Sequence, residues 1–419
     1  MPFKIIRTNC CGLDVHKTWI YACIGITDHN GRTEYFEKRF SSFTKGLRDL
    51  SEWLARYSCK EVCMESTGKY WIPVFNILEK TCSVELAHPK YTKPQRGNKT
   101  DRKDARWICD LFMCGMTKPS FIPPADIRHL RDLVRYRFKL TCILIGEKNR
   151  VQNCLTVSNL KLDEVFSDVF GKSSRSITEY MLAHPGEIFD VTPFVDYRCK
   201  TPIEEIQAAV DGVISREQAC KLRQCLDHID ELKKHIKETE QEILRVSDPY
   251  ADALNLIRTV PGFDNNPFTA IQILSEIGGD MSVFPTDKNL VSWAGCCPRN
   301  DKSNKTIKST RISRAGTYLK PLLVQVSNAL VRSKKHPEIT ERYRRIKSHR
   351  GHSKAIIAIC RMLLTAIWHI LSDLTPYSPD GYLSPRPVKT EKVLTTSQAL
   401  NLLKLRGYII TDDLSDVVS

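Results

Sequence analysis

Residues 10–28 and 33–41 alternate apolar and polar positions with a period of two, which predicts extended strands. His29-Asn30-Gly31-Arg32 between them has turn chemistry. From residue 44 to 57 the period becomes helical, with Leu47, Leu50, Trp53 and Leu54 on one face. A short apolar run over 62–64 predicts a strand ending at Glu65. A helix over 70–80, a strand over 84–87 and a helix over 101–114 follow, and residues 119–124 form a break between prolines.

The predicted order, βββαβαβα, is that of the ribonuclease H fold, a mixed sheet whose first strand, fourth strand and late helix deliver side chains to one edge. Beyond it the pattern is helical. Residues 127–155 read as a basic helix, and 156–215 carry few chemical signals. Leu222, Ile229, Ile236 and Ile243 are then spaced by seven, with Cys225, Leu232, Thr239 and Val246 three after each. This narrow heptad seam over about 219–247 is expected to form a coiled coil between chains or between domains, with a helical hairpin inside one chain as the alternative.

Residues 256–263, LIRTVPGF, precede a helix over 267–277 that Gly278-Gly279 closes. Helix, Pro-Gly turn, helix is the pattern of a helix-hairpin-helix, in which turn amides around a residue such as Gly262 grip a phosphate. An ordinary helical hairpin fits the segment equally well. Residues 376–387 are proline-rich, and a short helix near 397–406 stops at Gly407. The fold class is thus α/β followed by α: a mixed-sheet N-terminal domain, a helical segment with a coiled coil, and a mainly helical C-terminal domain.

Charge narrows the partner. The chain of 419 residues holds 63 Lys and Arg against 48 Asp and Glu, a net +15. Most of the excess lies in residues 299–361, which include Arg299, Lys302, Lys305, Lys308, Arg311 and Arg314. So lopsided a run points to a polyanion rather than to a merely solvated face. No uninterrupted apolar run approaches 18 residues, and no signal peptide or lipidation box is present, so a cytoplasmic, nucleoid-associated protein is expected rather than a membrane-bound one. The 16 cysteines lack CxxC or Cys-His metal spacing and are read as reduced, small hydrophobic residues.

The acidic residues carry the chemistry. Asp14 stands in an apolar run, Glu65 ends another, and Asp101 and Asp104 are three apart on one helix face. Singly, each reads as an ordinary cap or strand end. Together they suit hard divalent cations, which take several carboxylate oxygens from converging elements, and a pair of Mg²⁺ ions (Mn²⁺ as the alternative) is expected. The residues alone leave three readings open: a recombinase, a metal-dependent structure-selective nuclease such as a junction resolvase, and a non-catalytic nucleic-acid scaffold.

The ordered motifs GLDVHK, MESTGKYW, NKTDRKDAR, VPGFDNNPFTAIQILSEIGG, WAGCCPRNDKS and RISRAGTYLK resemble the DEDD transposases of the insertion sequence 110 family, over most of residues 8–370. The resemblance implies a RuvC-like domain over 8–155 whose metal ligands are Asp14, Glu65, Asp101 and Asp104. It further implies a helical, coiled-coil segment over 156–249, a transposase domain over 250–375, and a linker and tail over 376–419. The partners it implies are donor and target DNA, a structured bridge RNA that pairs with both, and further copies of the chain, dimer to tetramer. The family's nucleophilic serine, five residues after the proline of its GLxPR-like motif, falls on Ser303, after Pro298. Two departures stand out: Asn304 replaces the glycine usual after that serine, and Gly295-Cys296 replaces the family's Gly-Leu. Ser309 and Ser313 are the neighbouring alternatives. A serine hydroxyl needs activation, and the cations around Ser303 suit the developing charge of a phosphoryl transfer.

Overall fold

The computed structural model describes residues 4–65, 68–92, 100–298, 301–303, 306–309, 311–379 and 396–406. Its N-terminal part is built on β1 (Asn9–Val15), β2 (Trp19–Thr27) and β3 (Thr33–Ser41), an antiparallel meander. The alternation over 10–28 divides into two strands, as the predicted order requires. The reversal is closed where the His16 amide donates to the Trp19 carbonyl at 2.9 Å. Lys17 and Thr18 lack Gly, Pro or Asn, so the turn has no compositional signature. The second reversal is the one composition marks: Asp28 Oδ1 accepts from the amides of Asn30 and Arg32, and Gly31 takes a φ of 78°.

After α1 (Thr44–Arg56), β4 (Glu61–Glu65) pairs parallel with β1, and after α2 (Trp71–Leu78), β5 (Ser83–Ala87) pairs parallel with β4. The strand order is β3-β2-β1-β4-β5, a mixed five-stranded sheet compatible with a ribonuclease H-like domain. Alternation along the strands divides the core. Leu13, Ile20, Val62 and Met64 face Leu50 and Leu54 of α1. Cys10, Cys23 and Cys63 face the other way, onto Ala105, Ile108 and Phe112. Those three lie on α4 (Asp101–Met113), which follows the short α3 (Pro89–Thr92). The alternate burial is that of a sheet covered on both sides.

The 33-residue helix α5 (Ala125–Val157) leaves this domain and continues past residue 155 without interruption. A small helical unit follows, with α6 (Leu162–Val165), α7 (Lys172–Ala183) and α8 (Ile203–Ala209), and then the 32-residue α9 (Arg216–Ser247). The helices α5 and α9 pack antiparallel: Arg137 pairs with Glu240 and Glu147 with His228. The heptad seam therefore has a partner within the chain. Leu222, Cys225 and Ile229 are buried with Val151 and Leu155 of α5, and Ile243 is buried with Leu130 and Val134. Ile236, Thr239 and Val246 are half-buried. The strict seam is that of a helical hairpin, whose antiparallel packing repeats with the same period as a coiled coil between chains.

The C-terminal core joins α10 (Ala251–Thr259), α11 (Pro267–Ile277), α12 (Asp287–Trp293), α13 (Leu319–Leu330), α14 (Pro337–Arg350) and α15 (His352–Asp373). Among the described residues α15 alone is long and apolar enough to cross a membrane, and more than half of that apolar window is buried inside the fold. Pattern reading passed over it because Arg361 interrupts the run. The tail holds α16 (Thr396–Leu405). All 16 cysteines are free thiols, most of them buried.

Candidate functional site

Strand alternation places Gly12, Asp14 and His16 along one side of β1 and its continuation, the side that α4 covers. Gly12 fixes how close the helix comes. A Cβ there would lie 2.3 Å from the Cys109 amide nitrogen and 2.4 Å from the Ala105 carbonyl oxygen. Two residues further along the strand and one turn back along the helix, Asp14 meets Asp101. The helix is also held from β3: Tyr35 Oη donates to Asp110 Oδ1 at 2.6 Å, and Arg106 lies 3.8 Å over the Tyr35 ring. Thr100 caps α4, its hydroxyl accepting from the Lys103 amide, so the first turn carrying Asp101 and Asp104 is ordered.

The ligating atoms of Asp14, His16 and Asp101 lie within 4.8 Å of one another. His16 Nε2 is 3.0 Å from Asp14 Oδ2 and 3.5 Å from Asp101 Oδ1, and Trp19 Nε1–H donates to Asp101 Oδ2 at 3.2 Å. Burial pushes the Asp14 carboxyl above its usual range; His16 opposes that shift, while Asp104 and Asp101 reinforce it. Both helix acids are thus close enough to Asp14 for their charges to be felt. On β4, the register that sets Leu13 beside Met64 leaves Glu65 beside Asp14 at the strand ends, and Glu65 Oε2 accepts from Thr92 Oγ1 at 3.1 Å. Two carboxylates and an imidazole around a partly desolvated point, with Glu65 at the adjacent strand end, are hard and borderline donors, a set that fits Mg²⁺ or Mn²⁺. The sequence reading missed His16 and Trp19. Period-two alternation continued one step past Asp14 would have found His16; Trp19 depends on the unmarked turn.

Ser303 stands on a second structure. The strands β6 (Asp301–Ser303) and β7 (Thr306–Ser309) form a hairpin in which Ser303 pairs with Thr306 at the tip. The register shifts between Asp301 and Lys302, and such irregularities re-aim the end of a strand. At the hairpin's base Pro298 bridges Ile312. Below it, Gly295 and Gly316 pack backbone to backbone: a Cβ on Gly316 would lie 2.2 Å from the Ala294 carbonyl oxygen, and one on Gly295 would lie 2.5 Å from that of Ala315. Lys320 Nζ donates to the Ser313 carbonyl at 2.6 Å, so Ser313 belongs to this clamp. Lys302 lies on β6 and Lys308 on β7, and Arg311 and Arg314 are exposed. Arg299 and Lys305 lie outside the described residues.

Gly262 forms the turn between α10 and α11 with a φ of 87°, and a Cβ there would meet Val326 Cγ1 of α13 at 2.7 Å. One side of the turn is therefore core packing. The basic helix α5 uses several cations inside the fold. Arg135 holds the buried Glu276 through two bonds of 2.8 Å, Arg131 donates to the Ser275 and Glu276 carbonyls, and Arg150 pairs with Glu147. These guanidiniums join α5 to α11 and to its own turn.

Comparison with known proteins agrees in both halves of the chain. A transposase family model, that of the DEDD transposases of IS110, matches residues 11–159. A second, described as the transposase IS116/IS110/IS902 family, matches residues 254–344. A "Probable family 20 transposase" of Pseudomonas aeruginosa is 24% identical over 325 residues, 76% of this chain and 86% of the relative. The "Insertion element IS900 uncharacterized 42 kDa protein" of Mycobacterium paratuberculosis is 29% identical over 126 residues, 30% of this chain and 31% of the relative. With both halves matched, over more than half of its residues, the chain belongs to the IS110 family of transposases, enzymes that act on DNA.

Proposed function

We propose that the chain is the recombinase of an insertion sequence, cutting and rejoining DNA strands with Asp14, Glu65, Asp101 and Asp104 as metal ligands and Ser303 as nucleophile. The observation that carries this reading is the convergence of Asp14 and Asp101 under the first turn of α4, with Asp104 acting electrostatically on the same carboxyl. The carboxylates would hold Mg²⁺, which when bound would supply charge neutralisation at the phosphoryl oxygens. Ser303 Oγ attacks phosphorus and its proton passes to a base. The phosphorus–oxygen bond to the leaving strand breaks, and that strand's oxygen takes up a proton. The phosphoserine conserves the bond for rejoining, which hydrolysis would lose. Lys302, Lys305, Lys308, Arg299, Arg311 and Arg314 bind the backbone around it, and the outer amides of the Gly262 turn add a phosphate contact.

Selection of donor and target DNA belongs to a structured bridge RNA that pairs with both, the protein reading backbone and shape. The chain assembles from dimer to tetramer to hold two DNAs. Since α5 covers much of the heptad seam, the exposed Tyr136 and Ile143 of α5 and Leu244 of α9 offer the second surface. The test is to purify the chain with co-expressed RNA, identify that RNA, and assay strand exchange on DNAs matching it. Recombination that follows changes in the RNA supports the reading. Cleavage without rejoining, indifferent to RNA, would make the chain a structure-selective nuclease.

A further inference from the structure

A cavity of about 300 Å³ opens between α12, α14 and α15, lined by Asp287, Lys288, Cys297, Arg342, Arg361 and Thr365. Its chemistry is one-sided. Three cations face one carboxylate, and that carboxylate is engaged already, Asp287 Oδ2 accepting from Thr365 Oγ1 at 3.0 Å. Among the described residues none of the three cations forms an ion pair, whereas Arg131, Arg135, Arg137 and Arg150 are all bonded within the chain. Arg342 Nε is buried and has no hydrogen-bond partner among the described residues. Buried donors are nearly always satisfied, so a guanidinium left with free donor capacity beside a cavity calls for an acceptor from outside. The planar fork of arginine suits a tetrahedral oxyanion with two or more oxygens.

The position of the cavity indicates which anion. Cys297 lines it, and the next residue, Pro298, starts the hairpin that ends at Ser303. Ser303 follows Cys297 by six residues, which reach at most about 20 Å, the length of about six nucleotides along a duplex strand. We propose that Lys288, Arg342 and Arg361 form a phosphate pocket that grips a DNA phosphodiester a few nucleotides from the bond at Ser303. The inference rests on the reading of Ser303 as the residue that meets the scissile phosphate. It assigns Arg342 and Arg361 to holding the strand in register rather than to the chemistry.

The test measures binding of the full-length chain to a mixed-sequence DNA duplex across a salt series. Arg342→Gln with Arg361→Gln should lower the slope of log K against log salt by about two, since each lost contact retains its counterion. Arg342→Lys with Arg361→Lys should keep the slope. If the Gln pair does not fold, the exposed Arg361→Gln alone should lower the slope by about one. An unchanged slope in a folded Gln variant overturns the pocket. A second arm titrates inorganic phosphate: loss of its binding with the DNA slope intact would assign the pocket to the free anion and overturn the inference. Ser303→Ala should leave the slope intact and remove only the covalent product, so a failed pocket and a failed nucleophile give separate readings.

Discussion

Gly12 lies so close to Ala105 that a Cβ on it would sit 2.4 Å from the Ala105 carbonyl oxygen. This contact sets the height of α4 over β1, and therefore the approach of Asp101 and Asp104 to Asp14. Gly12→Ala should force the helix outward. Overpacking of this kind costs about 1–3 kcal/mol. Strand transfer should fall further than the loss of folded protein accounts for, as denaturant titration beside an activity assay would show. Wild-type activity per folded molecule would mean that the helix height does not matter.

Asp14 is buried under like charges, and its carboxyl is held above the usual 3.8, chiefly by desolvation. Asp14→Asn should abolish strand transfer while raising the melting temperature of the metal-stripped protein near neutral pH, because it removes a desolvated charge. Added Mg²⁺ should raise the melting temperature of the wild type and do so less for the variant. A variant that melts lower without metal and responds to Mg²⁺ like the wild type would contradict this placement.

Much of this was legible in the sequence, and the reasons differ by element. The carboxylates were visible because each sits at the end of a strongly patterned strand or helix, and their order matched the family. Leu47, Leu50, Trp53 and Leu54 announced the buried face of α1, and all four are buried. The turn between β1 and β2 was hidden, since His16 to Trp19 reverse direction without a turn residue, and with it went Trp19 as a partner of Asp101. The seam along α9 was found, but its partner was not: a repeat of seven states that a helix has a neighbour and leaves open whose helix it is. Nor does a count of arginines on α5 reveal Glu276, which lies 141 residues away in sequence and binds Arg135 through tertiary contact.

That pair makes its own test. Glu276 is 4% exposed and both its oxygens accept from Arg135. Arg135→Gln would leave a buried carboxylate half-satisfied. Removing one partner of a buried pair costs about 3–5 kcal/mol, and the partial exposure of Arg135 reduces the expected loss to about 2 kcal/mol. Glu276→Gln in the same background should recover part of it. DNA affinity should change little, which separates this structural role from a phosphate contact.

Tyr250 donates to Asp126 at the start of α5, and this hydrogen bond is the main cause that holds the Asp126 carboxyl below its usual 3.8. Burial, and after it this hydrogen bond, pushes the Tyr250 hydroxyl up to about 12. A depressed carboxyl contributes stability that is full above 3.8 and is lost as pH falls through its folded value. Tyr250→Phe should therefore be less stable than the wild type at neutral pH, and the difference should close on acidification below 3.8. Thermal melts across an acid series measure this. A constant difference at every pH would place the effect in packing instead.

In the proposed reaction Ser303, at the tip of its hairpin, becomes covalently joined to DNA. Mass spectrometry of the complex trapped during strand exchange, digested to peptides, locates the bond. A nucleotide remnant is expected on Ser303 and none on any peptide of Ser303→Ala, which should still bind RNA and DNA. A remnant on Ser309 or Ser313, or recombination by Ser303→Ala at the wild-type level, would contradict it.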